Sequence, residues 1–75
     1  MEGNYRETED ERVLEFDGVT VSVTKEGYGM LVVSEEGEEV ERYYGFEMAL
    51  DHVAELLGVS PSELRVPEEA DDMGI

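Results

Sequence analysis

The chain has no cysteine, and only one lysine, Lys25, among five basic residues. Without cysteine, neither a disulfide framework nor a thiolate zinc site can supplement the core of a 75-residue fold. A basic leader region and a long apolar run are both missing. That argues against a signal peptide or a membrane span, so a cytoplasmic protein with no membrane partner is expected. Clustered lysine and arginine, which supply most phosphate affinity, are also missing, so nucleic acid is not an expected partner. Proline occurs only twice, as Pro61 and Pro67, and both fall near the end of the chain.

Acid is abundant. Asp and Glu number 21, giving a formal net charge of -16. They recur from Glu7 to Glu11, from Glu35 to Glu39, from Glu68 to Asp72, and singly between. A dedicated acidic tail would be a block and would leave the domain near neutral. At low ionic strength such a surface repels itself and opposes compaction. In molar salt the screening length falls to about 3 Å and the repulsion fades. The composition resembles that of small acidic proteins of halophilic archaea, which favour Asp and Glu and avoid Lys. This resemblance is one of solvent adaptation. It covers the whole chain and points to no particular family.

The apolar share of 40% is ordinary for a globular protein, so one modest domain is expected. Residues 1–11 carry no periodicity and read as a flexible arm. RVLEF (12–16), Asp17-Gly18 and VTVSVTK (19–25) then form a hairpin signal, because a type I′ turn needs positive φ at both central positions. Its register places Leu14, Phe16, Val19, Val21 and Val23 on one face. EGYG (26–29) is a second turn. A two- or four-residue loop there puts Met30 and Val32 of MLVVS on the core face and Leu31 and Val33 outside. VERYY (40–44) is a fourth strand with two possible registers. A Glu36-Gly37 turn sends Val40 outward, whereas a three-residue loop with a bulge sends Val40 and Tyr44 to the core.

After Gly45 the period changes to that of a helix. Phe46, Ala49, Leu50, Val53, Ala54 and Leu57 form one stripe, with Met48, Asp51 and His52 on the solvent side. Gly58 is a left-handed stop, and Ser60, Pro61 and Glu63 spell a capping box for a short second helix that Pro67 ends. The expected fold is α+β: a four-stranded antiparallel β-meander packed on one amphipathic helix, with a short C-terminal helical turn. The domain is read as residues 12–66, and 67–75 as a flexible acidic tail.

Several local patterns invite a function. AELLGVSPSELR (54–65) has the spacing of a helix-turn-helix, but its second helix is little more than a turn and offers Arg65 alone beside Glu63. Packing is the better reading. YYGF (43–46) has the rings of a base-stacking platform, yet such platforms sit in basic grooves and only Arg42 is adjacent. These rings more simply fill the strand-to-helix corner. His52 and Glu55 lie one helical turn apart, with Asp51 adjacent, but a transition-metal site usually takes three or four ligands. Gly27 and Gly29 lie between strands, with no following helix to receive a phosphate. No catalytic, cofactor-binding or metal-binding residue is assigned, and an enzyme is not expected.

The outer sheet face is the more informative surface. In the expected register Val13, Leu31 and Val33 lie there, joined by Val40 if the turn is tight. Such a face suggests a cover, most simply a second copy in a homodimer. The expected function is therefore non-enzymatic contact with itself or another protein, through this face or through the Met48 and His52 side of the helix. Two alternatives stand beside it. One is an acidic nucleic-acid mimic seated in the basic groove of a DNA-binding protein. The other is a small-ligand or metal site near His52.

Overall fold

The computed structural model describes residues 1–26 and 30–73. It is an α+β fold with five antiparallel strands, not four, in the order β1 to β5. The strands are β1 (Asn4–Glu7), β2 (Glu11–Phe16), β3 (Val19–Thr24), β4 (Leu31–Glu35) and β5 (Glu38–Tyr43), and one helix follows, α1 (Phe46–Leu57).

The additional strand is β1, drawn from residues expected to form an arm. Tyr5 stands opposite Leu14 and Arg6 opposite Val13, so Tyr5 faces the core while Arg6 faces out. Gly3, just before it, is fixed by packing. A Cβ there would stand 2.8 Å from Leu14 Cδ1 and 2.8 Å from Phe16 Cζ, inside van der Waals contact.

The β2–β3 hairpin has the register expected from Asp17-Gly18, with Phe16 opposite Val19 and Leu14 opposite Val21. Both turn residues have positive φ, 47° at Asp17 and 87° at Gly18. The β4–β5 turn repeats this with Glu36 at 54° and Gly37 at 84°. A bulge follows it: Ser34 pairs with Glu39 but Val33 with Glu41, leaving Val40 as the extra residue. The tight turn and the bulge, weighed above as alternatives, occur together.

The register of β4 corrects the expectation. Val21 pairs with Val33 and Ser22 with Val32. Leu31 and Val33 are therefore buried in the core, and Val32 occupies the outer face in their place. The link expected at EGYG (26–29) lies, but for Glu26, outside the described residues.

α1 lies across β3, β4 and β5 and buries Ala49, Val53 and Ala54. Gly58 ends it at φ 73°, with its N–H on the Glu55 carbonyl and that of Val59 on the Ala54 carbonyl. The capping-box pair is present, with Ser60 N–H donating to Glu63 Oε2 at 2.8 Å, but what it opens is a single 3₁₀ turn, Pro61–Glu63.

Residues 65–73 close the part of the core beside β1 and β2. Gly3 N–H donates to the Arg65 carbonyl at 2.9 Å and Arg65 N–H to the Met1 carbonyl at 2.7 Å, a parallel bridge at the sheet edge. A 3₁₀ turn, Glu68–Ala70, then places Ala70 and Met73 in one cluster with Leu14, Phe16, Val21 and Val53. Ordered structure thus extends on both sides of residues 12–66. Fully burying each of the larger aliphatic and aromatic side chains contributes about 1.5–3 kcal/mol.

Candidate functional site

The expected contact face of Val13, Leu31, Val33 and Val40 is not brought together. Leu31 and Val33 face α1, and Val40 stands at the β5 bulge, 42% exposed. Val13 does lie on the outer face, yet it is only 4% exposed. That face is a shallow trough of about 520 Å³ in which Val13 and Val32 alternate with Thr20, Ser22 and Ser34. Arg6, Glu11, Glu15 and Glu39 rim it, and Arg6 is paired with Glu15 at 3.1 Å. With two valines among hydroxyls and carboxylates, it is a polar surface.

A second groove, about 410 Å³, separates α1 from the turn after it and is lined by Glu47, Leu50, Asp51, Pro61 and Ser62. Neither groove has a histidine among its lining residues.

His52 is half-buried, not solvent-facing as expected. Its Nδ1 lies 2.9 Å from the Tyr43 hydroxyl, and the two rings meet edge to face with centroids 5.6 Å apart. This pair ties α1 to β5. Desolvation raises the Tyr43 phenol above its ordinary value, with Glu41 and Glu55 adding to the effect. Among the described residues no group of three or more His, Asp or Glu side chains is placed to hold a metal ion.

Exposed large apolar side chains lie elsewhere. Besides Met1 at 42%, those left in solvent among the described residues are Val40 at 42%, Tyr44 at 85% and Met48 at 58%. These three lie on β5 and along its passage into α1. Met48 is outward, as its place on the helix implies, whereas Tyr44, expected to fill a packed corner as part of YYGF, stands in solvent.

β5 is also the open edge of the sheet. Among the described residues no backbone hydrogen bond reaches it except from β4, whereas the opposite edge is partly closed by the Glu2–Arg65 bridge. Five of its six residues, Glu38 to Arg42, are exposed. Arg42 pairs with Glu39 through two hydrogen bonds, 2.7 and 2.9 Å. This pairing lowers the Glu39 carboxyl below its ordinary value. The Arg42 backbone N–H is occupied by the Glu41 carboxylate at 3.0 Å.

A second polar cluster is structural. Arg12, on the core side of β2, donates to the Tyr5 hydroxyl at 2.8 Å and the Glu69 carbonyl at 2.9 Å, and pairs with the Asp72 carboxylate. The cluster continues as Tyr5 donates to Glu7 at 2.8 Å, and Glu7 pairs with Lys25 at 2.9 Å. These bonds push Arg12 up, and they lower Asp72 through Arg12 and Glu7 through Lys25 and then Tyr5. The sequence carried no sign of this cluster, because its bonded partners lie up to 60 residues apart.

Residues 1–75 match a family of unknown function, DUF7111. The chain belongs to that family. Comparison with curated proteins and with solved structures returns no match. Membership in this family brings no assigned activity or ligand. No helix among the described residues is long and apolar enough to cross a membrane.

Proposed function

We propose that this protein is a non-enzymatic contact protein of a salt-rich cytoplasm, working through the surface formed by Val40, Tyr44 and Met48. The observation that carries the reading is the placement of these exposed apolar side chains on and next to β5, the sheet edge that, among the described residues, no further strand or bridge covers. An apolar patch next to unpaired backbone is costly to leave in water and is the usual mark of a partner site. The outer sheet face, favoured from sequence as a homodimer surface, loses that support because Leu31 and Val33 belong to the core.

The salt adaptation rests on charge. The net charge of -16 lies over 4928 Å² of surface, and no charged side chain is buried among the described residues. Carboxylates occupy every strand except β3, as well as α1 and both 3₁₀ turns. A nucleic-acid mimic would gather them along one ridge, and this spread favours solvation instead.

A photo-crosslinking side chain at position 44, compared with one at position 20 in the outer trough, tests the contact reading in cell extract at molar KCl. Adducts formed at 44 and not at 20 are expected, whether they hold a second copy or another protein. Equal yields, or none at 44, overturn it.

A further inference from the structure

Building on the contact reading above, we infer that the partner is a basic, extended segment of another polypeptide that adds to the open edge of β5 as a sixth strand. The backbone group that matters is the Arg42 amide. Its N–H bonds to the Glu41 carboxylate at 3.0 Å, a side-chain acceptor standing where a neighbouring strand would present a carbonyl. Strand addition at an exposed edge takes its affinity from such backbone groups and its specificity from the side chains around them. An incoming carbonyl replaces the Glu41 carboxylate on this amide. Glu41 is then released to pair with a cation on the added strand.

Charge selects the occupant. β5 carries Glu38, Glu39 and Glu41 against one cation, Arg42, which Glu39 already holds. A second copy pairing on this edge brings the same acids with it, and no other strand of the chain carries more than one arginine or any lysine. Charges and a bulge on an edge strand are the ordinary guards against self-pairing. Here both are present, at Glu38–Glu41 and at Val40. They disfavour a copy of this chain and admit a strand bearing Lys or Arg. Tyr44 and Met48, at the end of the edge, supply the apolar contact.

The test uses the full chain with two labelled hexapeptides, one alternating lysine with valine and the other glutamate with valine. Binding is read by fluorescence anisotropy in molar KCl and at the lowest KCl that keeps the fold. Backbone exchange at Arg42 is followed by nuclear magnetic resonance. The lysine peptide is expected to bind and to slow exchange at Arg42, and the glutamate peptide is not.

Arg42→Pro removes the edge donor while leaving the bonds to β4, and it should weaken the lysine peptide by about tenfold or more. Glu41→Lys should shift preference toward the glutamate peptide, and it keeps the test alive if the proline variant fails to fold by circular dichroism. Undiminished binding to a folded Arg42→Pro, without slowed exchange at Arg42 in the parent chain, indicates diffuse attraction to an acidic surface and overturns the inference. So does failure of both peptides, or slowing at Arg42 caused by self-association. If the position-44 crosslink succeeds while the peptides fail, only the strand-addition inference falls; failure of that crosslink removes the contact reading itself.

Discussion

Arg12 and Asp72, 60 residues apart in sequence, form an ion pair that fastens the C-terminal segment against β2. The same guanidinium holds the Glu69 carbonyl and the Tyr5 hydroxyl, so one side chain connects β1, β2 and residues 69–72. Arg12→Met keeps much of the apolar stem and removes all three bonds. It should cost about 1–3 kcal/mol in urea unfolding. An unchanged midpoint would remove the clamp from the description of the fold.

The acid side of the clamp sets a pH dependence. Asp72 and Glu7 both have folded values depressed below their ordinary 3.8 and 4.5. Their contribution is complete above those ordinary values and disappears as pH falls through the lower, folded ones. In molar KCl, where general repulsion is screened, stability should fall as pH drops through this window. Asp72→Asn should flatten the fall. A pH profile identical to that of the parent chain contradicts the assignment.

Gly3→Ala places a methyl group 2.8 Å from Leu14 Cδ1 and Phe16 Cζ, both fully buried. Overpacking of this kind costs about 1–3 kcal/mol. Chemical denaturation should show the loss, and a neutral result would mean that the residues before β1 move aside freely.

Glu36 holds φ at 54° in the β4–β5 turn, a conformation that asparagine tolerates better than glutamate. Glu36→Asn should raise stability by about 0.5–1 kcal/mol at molar KCl, where the loss of one charge counts little. Thermal melts of the two chains measure the difference directly.

The charge makes the strongest prediction. Circular dichroism across a KCl series should show folding that improves steeply toward molar salt, as self-repulsion is screened. A melting temperature independent of KCl would remove the halophilic reading.

How far the fold could be read depended on whether its signals were local. Asp17-Gly18 fixed one hairpin and its face, and the apolar stripe from Phe46 to Leu57 fixed the helix, because each is complete within a few residues. The face of β4 was misassigned for a countable reason. The observed pairing of Val21 with Val33 needs an odd number of residues in the link, whereas two- and four-residue loops are even, and one residue of slip turns every side chain over.

β1 and the C-terminal segment were missed because their core contacts are sparse. Tyr5 is the only aromatic of NYRE, and Val66, Ala70 and Met73 follow an i, i+4, i+7 spacing through a run rich in acids. Arg12 at the start of RVLEF could not announce partners at Glu69 and Asp72. The contact surface was legible in part. Met48 was read as outward, but Val40 depended on the bulge and Tyr44 on a corner that leaves it in solvent.

The bridge between Glu2 and Arg65 also bears on kinetics. Neighbouring strands of a meander meet across short loops, while this closure joins opposite ends of the chain and carries the greatest loop entropy. Hairpins and helix can assemble before it, which makes it a late event on the folding route. Weakening it should therefore accelerate unfolding far more than it slows folding.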